Sequence, residues 1–376
     1  MRLKDLDKTT SEVSSLFFGV NVSCAQCHDH PLVPDWKQDH FYGMKSFFSR
    51  SYEAGRFVGE RDTAVVKFKT TKGQERTAKL MFLTGTVVEE PPGLKPAKEE
   101  PRKGKRRPAN TGGSTPPAPP KFSARAKLVE LALRRGQGDF FARSIVNRVW
   151  DRLFGYGLVM PLDQMHSANP PSHPELMDWL ARDVAEHGYD LRRLTRGLLL
   201  SRAYARSSRW EGKEAPKPAL FAVARVRPLR PMQLATALRL ATAAPDTFPA
   251  GLKADEFDRR LQGIEGGARG LAGLFEQPGE DFQVGVGEAL LFSNGDRVQK
   301  ELLADGNDRL VGRLKAIKDA KELAATAVQA VLSRPASAEE VKVLAEYVER
   351  RADRRVAACR QVVWALLTSA EFRFNY

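Results

Sequence analysis

The sequence is short of cysteine, with three in 376 residues, and of histidine, with six. Three cysteines cannot build a disulfide scaffold. No apolar run approaches the roughly 18 residues a membrane-spanning helix needs, so no membrane span is expected. The opening residues, Met1-Arg-Leu-Lys-Asp-Leu-Asp-Lys8, lack the apolar core of a signal peptide. If Met1 is the true start, the chain is expected to be cytoplasmic. There is no G-x-S-x-G elbow, and Ser172 and His173 are adjacent, so their side chains are expected to diverge, against a Ser-His-Asp hydrolase. The glycine-rich stretches at 263–270 and 279–287 do not fit the phosphate-binding fingerprints and read as flexible connections. No residue set defines a reaction, so catalytic residues are left unassigned.

What is present suits a globular chain of two or three domains: 42% hydrophobic and 28% charged residues. The formal charge is +14. Part of it is local, because residues 95–107 hold seven basic side chains against Glu99 and Glu100. Such a field favours acidic partners without establishing nucleic-acid binding.

The pattern along the chain predicts a mainly α fold, in which a helical C-terminal domain, a small β-insert and a disordered Pro/Lys-rich linker follow a short N-terminal segment. Thr9-Thr-Ser-Glu12 fits a capping box ahead of Val13, Leu16, Phe17 and Val20, and Trp36 to Phe48 reads as a second, aromatic-rich helix. Four regions follow from this: 1–55 with the cysteines, 56–90 as the β-insert, 91–121 as the flexible basic linker and 122–376 as the helical domain. Within the last, helices are expected at 124–135, 140–154, 174–187, 191–204, 231–241, 288–305, 319–332 and 337–370. Ser172 and Ser337 would start two of them.

Cys24-Ala-Gln-Cys27-His28 is the attachment pattern of haem c. Two thiols one helical turn apart can form thioethers with the porphyrin vinyl groups, and the adjacent imidazole can bind the iron. The opposite axial ligand would come from His40, Met44, Met160, Met165, His166 or His173, which the sequence does not rank. Two other chemistries stay open. Cys24, Cys27, His28 and His30 could hold zinc or another transition metal, and the cysteine pair could act as a dithiol. Cys359 lies in an apolar helical stretch and reads as buried and inert.

Asp163, His166, Asn169, Ser172, His173 and Glu175 form a dense polar loop, read either as a ligand-facing surface or as proline-loop chemistry with a cap at Ser172. Arg192, Arg193, Arg196, Arg202, Arg206 and Arg209 form a basic stripe, either a solvated face or a site for a polyanion such as nucleic acid or a sulfated glycan.

Phe18-Gly-Val followed by Cys24-Ala-Gln-Cys-His-Asp-His-Pro31 and the aromatic stretch 36–48 resembles the C-terminal part of the planctomycete cytochrome-type domain of unknown function 1549. Phe141-Ala-Arg, Val146-Asn-Arg-Val-Trp150, Leu153-Phe-Gly, Gly157-Leu-Val and Asn169-Pro-Pro-Ser-His-Pro-Glu-Leu-Met-Asp178 resemble its companion, domain of unknown function 1553. So do Gly188-Tyr-Asp-Leu191, Ser201-Arg-Ala-Tyr204 and the ending Ala365-Leu-Leu, Glu371-Phe and Phe374-Asn. The resemblance implies an exported, periplasmic or cell-envelope protein, here without the usual leading cytochrome domain. The expectation is therefore a c-type haem protein in electron transfer or supporting a redox enzyme, with a redox or envelope partner. The alternative is a zinc-like or structural module that binds a partner protein or polysaccharide.

Overall fold

The computed structural model describes residues 5–31, 33–94, 116–134, 136, 139–244, 247–276 and 285–375. The chain is mainly helical with small antiparallel sheets. Most of the expected 91–121 linker falls at 95–115, outside the described residues. Two compact units divide the chain, Met1–Arg225 and Val226–Tyr376.

The first unit opens with α1 (Leu6–Phe18). It starts four residues before the expected capping box, because the Asp5 carboxylate accepts from the backbone N–H of Asp7 and Lys8 and caps the helix there. Gly19 ends it at φ 66°, in the left-handed region that glycine adopts without strain. Next come α2 (Gln38–Phe48) and two hairpins: β1 (Ser51–Ala54) with β2 (Phe57–Glu60), and β3 (Lys67–Lys69) with β4 (Glu75–Thr77). Toward the end of the expected β-insert, pairing reduces to a single bridge between Met81 and Val87. Helices α3 (Ala124–Leu133), α4 (Phe140–Phe154), α5 (Pro174–Glu186) and α6 (Leu191–Leu199) complete the unit. Phe18, Phe41, Phe47, Phe82, Val146, Trp150 and Met177 belong to one buried core cluster, so the N-terminal segment shares its interior with α3 to α6.

Polar groups hold the β-insert to that interior. The Glu60 carboxylate, buried, accepts from Ser123 Oγ at 2.6 Å and from the Arg125 backbone N–H at 3.0 Å, anchoring β2 to the start of α3. Arg50 is 1% exposed, donates to Glu90 at 2.6 Å and lies over the Phe122 ring.

In the second unit, β5 (Arg227–Pro228) leads into α7 (Pro231–Thr242) and α8 (Ala254–Ala272). Helix α8 corrects the reading of its glycine-rich stretch as a flexible connection. Glycine weakens a helix, but here it allows close packing, because a Cβ at Gly267 would lie 2.9 Å from the Arg239 guanidinium of α7. The remaining elements are α9 (Val286–Asn294), α10 (Leu310–Ala316), α11 (Ala320–Leu332), α12 (Ala338–Glu349), α13 (Arg355–Leu367), α14 (Ala370–Arg373) and β6 (Phe374–Asn375), which pairs with β5. The long helix expected at 337–370 is thus broken between α12 and α13. Ser337 does cap α12, with Glu340 reciprocating.

Candidate functional site

Val22 and Ala25 are fully buried, and they pin a 3₁₀ turn at Ser23–Gln26 to the core of the first unit. Because every third position, Val22 and then Ala25, faces inward, Cys24 and Cys27 are left on the surface as free thiols. Three groups from α2 and its start hold the turn. Tyr42 Oη donates to the Gln26 carbonyl at 3.0 Å, Gln38 Nε2 donates to the Cys27 carbonyl at 3.1 Å, and the Asp29 carboxylate accepts from the Gln38 backbone N–H at 2.9 Å. Gln38 Oε1 also accepts from the Thr71 N–H at 3.3 Å, so one buried amide joins the cysteine turn to the β3–β4 hairpin. The Tyr42 ring stacks on Phe68 at 4.2 Å. Burial, with added repulsion from Asp7 and Cys27, pushes its hydroxyl pKa upward and keeps it a donor.

The two nearby histidines differ in the lone pair they can offer. His28 Nδ1 lies 2.7 Å from the Asp29 carbonyl. A carbonyl only accepts, so this nitrogen carries the proton and Nε2 keeps its lone pair in the neutral ring. Fixing one ring nitrogen on a carbonyl is how proteins orient a ligating histidine. His30 is the reverse: its Nδ1 accepts from the Val33 N–H at 3.1 Å, which puts the neutral ring's proton on Nε2. Among the described residues no three His, Cys, Asp or Glu side chains converge as a metal-holding group. Two exposed thiols and a neighbouring histidine whose Nε2 keeps its lone pair are the group types a covalently held haem needs, two attachment points and one iron ligand.

The axial candidates are scattered through the first unit. Met44 is fully buried, and Met165 is buried against Gly19. His40 Nδ1 accepts from the Lys37 N–H at 3.1 Å, and burial lowers its pKa. His166 lines a cavity of about 320 Å³ with Asp35, Trp36, Phe140, Asn169 and Met177, and burial lowers its pKa too. Met160 is half-buried at the start of the polar loop, and its carbonyl accepts from Asn169 Nδ2 at 3.2 Å.

The polar loop is in large part structural. Ser167 donates to both Asp35 oxygens at 2.7 Å, Met165 N–H donates to the Gly19 carbonyl at 2.9 Å, and Asn169 Nδ2 donates to the Gln164 carbonyl at 2.8 Å. Ser172 does not cap α5; His173 occupies that position, without a side-chain cap bond. Nor do the two side chains diverge: Ser172 Oγ and His173 Nδ1 lie 3.1 Å apart. Among the described residues no carboxylate is hydrogen-bonded to the His173 ring.

Other motif residues have similar explanations. Asn147, fully buried, exchanges two hydrogen bonds with Val159, at 2.8 and 2.9 Å. Arg148 donates to the Ser15 and Leu16 carbonyls that end α1. Asp190 caps α6. Cys359 is buried, and desolvation pushes its thiol pKa up, which agrees with an inert role.

Residues 1–53 match the family model described as protein of unknown function DUF1549 (PSCyt2), and residues 124–262 match protein of unknown function DUF1553 (PSD1). No curated protein and no solved structure matches the chain significantly. The first match covers α1, the cysteine turn and α2, and the second runs from α3 into α8.

Proposed function

We propose that this chain, which joins a DUF1549-type segment to a DUF1553-type segment, is a cell-envelope c-type haem protein serving electron transfer or a redox enzyme. The single observation that carries the reading is the cysteine turn, in which two free surface thiols flank a buried alanine and the next histidine has its Nδ1 fixed on a carbonyl. Cys24 and Cys27 would be the thioether anchors, and His28 the proximal ligand through Nε2. When bound, haem supplies one-electron redox chemistry at iron. The chain's own contribution is orientation. Gln38 and Tyr42 hold the turn's carbonyls, and the Asp29 carbonyl holds the imidazole, so the chain itself fixes the turn's backbone and the His28 ring.

The test is expression with a signal peptide and a cytochrome c maturation system, followed by a haem stain on a denaturing gel and a Soret and α-band spectrum. Haem that survives denaturation and is lost in Cys24→Ala and Cys27→Ala is the expected result. A colourless product under these conditions overturns the proposal. Metal analysis of that product would then distinguish a zinc-like centre from a purely structural turn.

A further inference from the structure

Helix α6 is capped at Asp190 and buries only Leu194 and Leu198. Its outer face alternates apolar and cationic groups in two neighbouring rows. Leu191, Thr195 and Leu199 form one row, and Arg192, Arg196 and Leu200 form the other. Leu191, Leu199 and Leu200 are 47%, 40% and 75% exposed. Arg193 lies to the side, paired with Asp183 of α5 at 2.9 Å. One turn before Asp183 on the same face of α5, the Trp179 indole is 59% exposed. Among the described residues, the side chains of Arg192 and Arg196 have neither an ion pair nor a hydrogen bond. The Asp190 carboxylate is occupied by backbone N–H groups and that of Asp183 by Arg193.

We propose that this face docks on an anionic lipid surface. The chemistry distinguishes a lipid surface from other occupants. The guanidinium groups are donors only, matching phosphate headgroups that are acceptors only, and the leucines between them need an apolar layer directly beneath the phosphates. A nucleic acid or sulfated glycan would satisfy the arginines and leave the leucines in water. A second copy packed face to face would oppose arginine to arginine, with no carboxylate on the face to offset the repulsion.

The experiment is flotation of the full-length chain with phosphatidylcholine vesicles, with and without phosphatidylglycerol, at low and physiological ionic strength. Binding that requires phosphatidylglycerol and weakens with salt is expected. The double variant R192E/R196E should lower the partition coefficient by at least roughly thirtyfold. L199S/L200S should lower it by about tenfold, with an unchanged melting temperature because both leucines are exposed. No binding to phosphatidylglycerol vesicles, or binding that both double variants retain, overturns the proposal. So does leucine-dependent self-association without vesicles, or binding to heparin or DNA while vesicles stay unbound.

Discussion

Gln38 makes a larger contribution than its place in an aromatic-rich stretch suggests. Its buried amide serves the Cys27 carbonyl, the Lys69 carbonyl and the Thr71 N–H together. Gln38→Ala leaves these groups without that partner and should cost about 2 kcal/mol, read as a lower urea midpoint. Gln38→Glu keeps the acceptor but loses the donor and should be intermediate. At the cysteine turn, the opposite tautomers of His28 and His30 give unequal outcomes. In a haem-loaded preparation, His28→Ala should lose the spectrum of an imidazole-bound iron. His30→Ala should keep it and show a stability loss that includes its hydrogen bond to Val33.

Among elements, the glycines of the second unit separate propensity from packing. Gly263 lies in the interior of α8, where an added Cβ would meet nothing within 4 Å, so Gly263→Ala should stabilise the protein by about 0.5–1 kcal/mol. Gly312 in α10 is the opposite case. A Cβ there would collide with the Gly306 carbonyl oxygen, and backbone cannot swing aside as a side chain does. Gly312→Ala should destabilise, by about 1–3 kcal/mol, despite alanine's better helix propensity. Thermal melts of the two variants, moving in opposite directions, check the argument.

Taken as a whole, the molecule has a pH response that is clearest in the second unit. Arg334 joins the start of α12 to α14, donating to Glu340 at 2.7 Å and to Glu371 at 2.5 Å. These bonds hold the Glu340 carboxyl at about 2, and that of Glu371 is lowered by the same arginine. A depressed carboxylate stabilises the fold above its unfolded value, near 4.5, and that stability is lost as the pH falls toward about 2. Arg334→Ala should therefore flatten the acid limb of stability between these limits. At neutral pH it should cost about 1 kcal/mol, because all three side chains are about a third exposed. Chemical denaturation at stepped pH measures both effects.

The helical class, the small β-insert and the Ser337 cap were legible in the sequence because each depends on local periodicity or spacing. The cysteine pattern was legible for the same reason, as five consecutive residues. Thr9 to Glu12 misled because Asp5 offered an earlier cap, and the α8 glycines misled because their value lies in how near α7 can approach. Arg50 reaching Glu90, Glu60 anchoring the start of α3 and Arg148 closing α1 could not be read from spacing, since each joins residues far apart in the chain. The order of residues alone fixes which thiols and imidazoles are available. That the thiols face outward, and that His28 rather than His30 keeps a free lone pair, follows only from the packed fold, because packing sets burial and hydrogen-bond partners.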